Sequence, residues 1–299
     1  GGGGGFVAAS GDATMSSSLP ALCRAGDHLL GFVESYGPTR HMVRRLLARF
    51  GVEHTLLSIE DDAAIERVLG ERRTRLVVFE SPTNPVNKVA DIGRITAAAR
   101  AAGALTVLDI FVHSLTKYAS GHGDVMGGAI IARRELCEVI RPDASLLGPV
   151  LDPHAAFLLL RGLRTYPLRF AAQAASALAI ARWLEAHPRV ARVHHPGLES
   201  HPRHALARAQ MRDFGAVVSF DHAGSAEDVR AFVDALRLFA ITPSLGSVES
   251  LVMPAQLMAP RDLDPAQRRT SLQTDTTVRL SIGAEDPEDL IADLEQALG

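Results

Sequence analysis

Phe111-Val112-His113-Ser114-Leu115-Thr116-Lys117-Tyr118 decides how this chain is read. An apolar run passes into a polar segment holding two hydroxyls and one lysine. A lysine amine can form a Schiff base with an aldehyde cofactor when burial and neighbouring charge lower its pKa. Ser114 and Thr116, just before Lys117, suit a phosphate, because each hydroxyl can donate a hydrogen bond to a phosphate oxygen. By itself the same composition also describes a solvated turn with a surface lysine, so the flanking sequence must choose.

Working outward, short apolar runs at 6–9, 28–32, 76–79 and 105–108 alternate with helical patterns at 14–24, 39–50 and 92–102. In 39–50 the apolar residues Met42, Val43, Leu46, Leu47 and Phe50 repeat at amphipathic spacing. Apolar strands separated by amphipathic helices predict a parallel sheet with helices on both faces. Ligands of such sheets bind beyond the carboxyl ends of the strands. Past Pro167 the pattern changes: an alanine-rich helix at 170–186, strands near 216–220 and 278–282, and helices at 226–236 and 287–298. This predicts a large domain over 1–167 and a smaller α/β domain over 168–299.

The residues after each predicted strand carry the candidate chemistry. Ser10-Gly11-Asp12 opens a helix, and N–H groups at a helix start after a glycine form an anion site. Tyr36-Gly37 offers an aromatic face for stacking. Glu80-Ser81-Pro82-Thr83-Asn84-Pro85 is a stiff loop presenting Asn84 at the ligand edge. Asp109 ends the run 105–108, where a carboxylate can hold a pyridinium nitrogen protonated. Arg279 lies in Val278-Arg279-Leu280-Ser281, a cation in an apolar strand. A buried arginine needs an anionic partner, and a substrate carboxylate serves as a bidentate one.

Ser114-Leu115-Thr116-Lys117-Tyr118 followed by Gly121-His122-Gly123-Asp124 resembles the lysine motif of the Cys/Met-metabolism family of pyridoxal-phosphate (PLP) enzymes. Its members include methionine γ-lyase, cystathionine γ-lyase, cystathionine β-lyase and cystathionine γ-synthase. Also family-like are residues 81–85, 161–165, 244–246, 249–251 and 279–281, so the resemblance runs from about Phe6 to Leu298. It implies a type I, aspartate-aminotransferase-like PLP fold and pyridoxal 5'-phosphate bound as a Schiff base on Lys117. It further implies that Ser114, Thr116 and the N–H groups of Gly11 and Asp12 hold the phosphate. Tyr36 would stack on the ring and act as acid or base, Asn84 contact the phenolic oxygen, and Ser244 with Arg279 take the substrate carboxylate. It implies a homotetramer built from dimers.

Two departures stand out. Nothing resembling the family's N-terminal arm precedes Phe6, and the five leading glycines look like a tag or linker. Only Ile110 separates Asp109 from Phe111, where parallel neighbours need a crossover of about a dozen residues. Residues are therefore expected to be missing at that junction. Asp109 then corresponds either to the pyridinium partner, which we assign, or to a second Asp preceding the lysine strand.

Other classes fare worse. The 299 residues are 47% hydrophobic and 22% charged with net charge -3, which gives no excess of cations for nucleic acid. The apolar runs are too short to span a membrane, and Cys23 and Cys137 read as reduced thiols of a cytoplasmic protein. His194, His195, His201 and His204 lack Cys or acidic company, so a solvated loop and no metal site is expected. Without the resemblance, Arg279 could be a structural ion pair, Tyr36 core packing and Asn84 a cap. The expected activity is γ-elimination from methionine or a related thioether, giving thiol, ammonia and 2-oxobutyrate. The alternatives are γ-replacement on an O-acylhomoserine, an inactive paralogue acting as a binding protein, and an aminotransferase of the same fold.

Overall fold

The first seven strands are Gly4–Ala8 (β1), His28–Phe32 (β2), Glu53–Leu57 (β3), Thr74–Val77 (β4), Leu105–Thr106 (β5), Ile110–Ser114 (β6) and Gly128–Ala132 (β7). They belong to a computed structural model that describes residues 3–106, 110–258 and 262–299. The chain forms two compact units, the first comprising Gly1–Ser81, Ala90–Thr116 and Val125–Leu160. In it, β3-β2-β4-β5 make a wholly parallel sheet.

Alternation along each strand explains why both faces of that sheet are covered. On β2, Leu30 and Phe32 join Val77 of β4 in one cluster with Ile65, Leu69, Ile95 and Ala99 from helices Asp62–Glu71 and Ile92–Ala101. Leu29 and Leu76 point the other way, against Leu19, Val43 and Leu47 from helices Gly11–Leu22 and Gly37–His41 and its π-helical continuation Met42–Leu47. Successive residues of a strand face opposite sides, so a sheet buried on both faces reads as a continuous apolar run.

β1 and β6 flank β7 and run antiparallel to it. This corrects the reading of the leading glycines, because Gly4 and Gly5 are ladder residues of β1, paired with Ala132 and Ile131. β5 and β6 lie in different sheets although only residues 107–109 separate them. Four peptide steps reach about 14 Å at most, too short for a parallel crossover. The junction, with Asp109, lies outside the described residues.

The second unit comprises Pro82–Val89, Lys117–Asp124 and Arg161–Gly299. Its sheet contains Val190–His194 (β8), Val217–His222 (β9), Ala240–Ile241 (β10), Leu251–Pro254 (β11) and Thr277–Ser281 (β12), in the order β10-β11-β12-β9-β8. Ala177, Ile180 and Leu184 of helix Tyr166–Ala186 pack with Val229, Phe232, Leu290 and Leu294 on Val218, Phe220, Val278 and Leu280.

The single cut expected at Pro167 is not the division observed. Pro167 sits in the first turn of helix Tyr166–Ala186, where its missing N–H has no partner to lose. The first half also lends two segments to the second unit, each held by hydrogen bonds. Asn87 Nδ2 donates to the carbonyls of His194 and Val217 at 2.9 Å, and Val248 N donates to Gly121 O at 2.8 Å.

The four histidines are not solvated either. His195 is fully buried, its Nδ1 accepting from Gly197 N at 3.2 Å, and burial pulls it down to about 4. His194 reaches Asp221 Oδ2 at 2.8 Å, His201 the Asn87 carbonyl at 3.2 Å and His204 the Pro196 carbonyl at 2.8 Å. Each ring nitrogen so engaged serves packing of the second unit.

Candidate active site

In the first unit, β1 delivers the chain to Ser10, whose Oγ accepts from Ala13 N at 3.0 Å and caps helix Gly11–Leu22. The N–H groups of Gly11 and Asp12 make no hydrogen bond among the described residues, as expected of a first helical turn. β6 brings Ser114 alongside: a Cβ at Gly11 would lie 3.0 Å from Ser114 Cβ and 3.2 Å from its Oγ. The Ser114 hydroxyl also has no partner among the described residues. Two open N–H donors, one open hydroxyl and a helix N-terminus form a donor set that fits a phosphate. The exposed Asp12 carboxylate leaves only its N–H to the cradle.

The Thr116 hydroxyl accepts from Gly127 N at 3.0 Å and faces Gly127 O at 3.3 Å, tying the end of β6 to the turn before β7. Tyr36, at the N-terminus of helix Gly37–His41, is 48% exposed. Partial burial, reinforced by the Asp12 and Glu80 carboxylates, raises its pKa, so the phenol holds its proton near neutrality.

The second unit holds Lys117, Asn84, Ser244 and Arg279. Lys117, half-buried, donates from Nζ to Ser244 Oγ at 3.1 Å. Arg279 is 1% exposed in the centre of β12. Its Nη2 donates to Ser244 O at 2.6 Å and Pro243 O at 3.2 Å, and its Nη1 to Asn84 Oδ1 at 3.2 Å and Met258 Sδ at 3.4 Å. No carboxylate pairs with Arg279 among the described residues, and its buried Nε has no partner. Burial lowers its pKa to about 10, opposed by the Tyr118 hydroxyl nearby. A desolvated cation with neutral partners and a spare donor is a receptor for an anion. The amide nitrogen of Asn84 has no partner among the described residues, so it is free to donate. Asp109 lies outside the described residues.

Several residues that support Lys117 carry little signal in the sequence. Tyr118 packs edge-on against Phe170 at 5.2 Å, and burial raises its hydroxyl pKa. Arg169 donates to three backbone carbonyls around the lysine loop, and Gln173 to those of Ser247 and Ile282. A polar residue in a helix does not reveal that its partner is a distant carbonyl. The only sequence clue was the neighbouring motif at 161–165.

The whole chain, residues 1–299, matches the family model described as Cys/Met metabolism PLP-dependent enzyme. It is 37% identical over 310 residues to cystathionine gamma-synthase 1, chloroplastic, of Nicotiana tabacum, covering 98% of this chain and 57% of that protein. It is 35% identical over 314 residues to L-methionine gamma-lyase of Fusobacterium nucleatum, covering 98% of this chain and 79% of that one. The chain thus spans little more than half the length of the plant relative. A crystal structure of cystathionine gamma synthase from Xanthomonas oryzae, in complex with aminoacrylate and cysteine, superposes with a TM-score of 0.95 at 36% identity, covering 99% of this chain and 81% of that one. The match to the tobacco protein runs over 310 positions although this chain has 299 residues, so the relative carries residues inside the matched span that this chain lacks.

Proposed function

The chain belongs to the Cys/Met metabolism family of PLP-dependent enzymes, and from that premise we propose that it is a carbon-sulfur lyase. Its reaction is γ-elimination from methionine or a related thioether, releasing a thiol, ammonia and 2-oxobutyrate. The observation that carries this reading is Ser244, whose hydroxyl receives Lys117 Nζ and whose carbonyl receives Arg279. One residue thus ties the amine that would carry the cofactor to the cation that would read the substrate carboxylate.

Bound PLP supplies an electron sink for the charge that develops at the substrate Cα. The remaining work falls to side chains. Gly11 N–H, Asp12 N–H and the Ser114 and Thr116 hydroxyls would hold the phosphate, Thr116 also accepting from Gly127 N to fix the end of β6. Asn84 donates from its amide nitrogen to the phenolic oxygen while its Oδ1 steadies Arg279. Arg279 takes the substrate carboxylate through Nε and the donor otherwise resting on the Met258 sulfur, a weak acceptor. Lys117 Nζ, steered by Ser244 Oγ, would remove the Cα proton and then a Cβ proton, whose electron pair forms the Cβ–Cγ double bond as the Cγ–S bond breaks. Tyr36, kept protonated, delivers a proton to the departing sulfur. Asp109 is proposed as the pyridinium partner, and residues absent at 109–110 as the source of the extra positions in the relatives.

γ-Replacement on an O-acylhomoserine is the second reading, favoured by the overlay on a cystathionine gamma synthase. Ammonia and 2-oxobutyrate assayed from methionine, cystathionine and O-acylhomoserine separate the two. No turnover of the first two sinks the lyase. In either case Lys117→Ala must abolish the cofactor's absorbance band and all turnover, and a band that survives refutes the assignment of Lys117.

We further propose a cytoplasmic homotetramer. Leu146, Leu147, Val150 and Phe157 expose 62–85% of their surface, more apolar area than isolated surface residues explain. Both cysteines are free and buried, in keeping with a reducing compartment, and among the described residues no helix is long and apolar enough to cross a membrane. Light scattering that reports a monomer at micromolar concentration would overturn the assembly.

A further inference from the structure

Lys117 begins a tight turn whose carbonyls must go somewhere. Its own carbonyl accepts from Gly121 N at 2.9 Å and from Ser120 Oγ at 3.2 Å. The next two carbonyls are gathered by one side chain: Arg169 donates from Nη1 to Tyr118 O at 3.1 Å and from Nη2 to Ala119 O at 3.4 Å. The same Nη2 reaches Gly162 O at 2.8 Å, and Nε reaches Thr165 Oγ1 at 3.1 Å. Each guanidinium nitrogen therefore has a partner, and among the described residues none of those partners is a carboxylate.

The backbone is cut to fit this group. A Cβ at Gly121 would sit 1.8 Å from Arg169 Nη1, and Gly121 has φ +75, which disfavours any other residue there. A Cβ at Gly162 would sit 2.3 Å from Ser120 O. Ala119 and Gly162, two of the residues whose carbonyls Arg169 serves, are buried, so leaving those carbonyls without a donor is costly. A planar fork satisfies several carbonyls at fixed angles, which an ammonium point charge cannot.

We propose that Arg169 is a positioning residue for Lys117: by clamping the carbonyls of the turn that follows, it fixes the direction from which Nζ meets Ser244. The inference rests on Lys117 being the cofactor lysine and adds what holds it ready. A clamp acting only on global stability would leave the behaviour of the lysine amine unchanged, so two local readouts of opposite sign distinguish the roles.

The first readout is reductive methylation of Lys117 by formaldehyde and cyanoborohydride in the cofactor-free chain, followed by peptide mass spectrometry. The second is the rate at which pyridoxal 5'-phosphate is captured at Lys117, trapped with borohydride. In Arg169→Ala and Arg169→Lys, methylation should quicken at least about 3-fold as the turn opens, and PLP capture should slow at least about 10-fold as orientation is lost. Arg182→Lys, exposed on the same helix, should leave both rates within about 2-fold of wild type. If Arg169→Ala fails to fold, Arg169→Lys and Gly121→Ala, which presses on the same guanidinium, carry the same readouts. Unchanged rates at Lys117 in a folded Arg169 variant overturn the proposal, whatever its melting temperature. Failure of the wild-type chain to capture PLP would instead refute the function proposed above, and the formaldehyde arm would still judge the clamp.

Discussion

Arg279→Lys tests the carboxylate receptor most directly, because it keeps the charge and removes the fork. Among the described residues the wild-type guanidinium puts four contacts on Asn84, Met258, Pro243 and Ser244 and keeps Nε unpaired. An ammonium has three donors on a single atom, so it cannot hold the Ser244 carbonyl and Asn84 and still grip a carboxylate through two bonds. Losing one charge-assisted hydrogen bond removes about 1.5–3 kcal/mol, or roughly a 10- to 150-fold loss in kcat/KM. The assay compares methionine with its decarboxylated amine analogue, the latter followed as spectroscopic binding to the holoenzyme. The methionine term should carry the full factor and the amine less than about 3-fold, because only one of them has the group that Arg279 reads. A pH signature comes with it. Burial lowers Arg279 to about 10, and the same site would draw a lysine below its usual value near 10.4. The charged form of the variant is therefore favoured at low pH, and its defect should shrink as pH falls. Equal losses for the acid and the amine would refute the receptor assignment.

Gly11→Ala places a Cβ 3.0 Å from Ser114 Cβ at the proposed phosphate cradle, so it should weaken PLP binding by about 10-fold with an intact fold; equilibrium dialysis against free cofactor measures this, and unchanged affinity locates the phosphate elsewhere. Asn84→Asp sets a carboxylate against Arg279 across a 3.2 Å contact, occupying the receptor internally. KM for the amino acid should rise at least about 10-fold with kcat less affected, and an unaltered KM contradicts that competition. His195 is neutral when folded down to about 4, whereas the unfolded side chain titrates at its ordinary 6.5. The unfolded state thus binds more protons between those values, and stability falls as pH drops through that window. The loss is roughly 3 kcal/mol once pH is below about 4. His195→Gln should flatten this part of the urea-midpoint profile, and an equally steep profile in the variant assigns the acid sensitivity to other groups.

Much of the fold was legible because the parallel sheet is buried on both faces. The predicted run 28–32 is β2 and the predicted run 76–79 overlaps β4 at Thr74–Val77, and the helices between them show one apolar stripe each. Arg279 stood out because an arginine within an apolar strand violates local expectation, whereas the lysine segment, which alone also describes a solvated turn, stood out only through the motifs that flank it. What escaped was the non-local part. Nothing in residues 82–89 or 117–124 says that they leave the first unit, because the donors that hold them, such as Arg169 and the Val248 N–H, lie far along the chain. The histidines were misjudged because Pro and Arg neighbours suggest solvent, whereas their ring nitrogens close carbonyls inside the second unit. The contacts of the Thr116 hydroxyl with Gly127 N and O, eleven residues on, are likewise not written in the spacing of the lysine motif.

Two arginines of the second unit illustrate how hydrogen-bond counting separates a receptor from a scaffold. Both are drawn below the ordinary arginine range by burial, and neither pairs with a carboxylate among the described residues. Charge and desolvation alone therefore rank them together. Arg169 places every guanidinium nitrogen on oxygen, three of the acceptors being backbone carbonyls, two in the turn after Lys117 and one at the end of helix Pro153–Leu163. An anion arriving there would have to break bonds already made and would gain little. Arg279 is deeper, yet among the described residues its Nε has no partner and its Nη1 gives a donor to a thioether sulfur. The same anion would satisfy an orphaned donor and replace a weak acceptor by a charged one. An unpaired buried donor costs about 1–3 kcal/mol in the empty state, and an incoming carboxylate would recover that amount on binding. Ser244 accepts from Arg279 through its carbonyl and from Lys117 through its hydroxyl. Filling the receptor would therefore also set the residue on which the lysine amine rests.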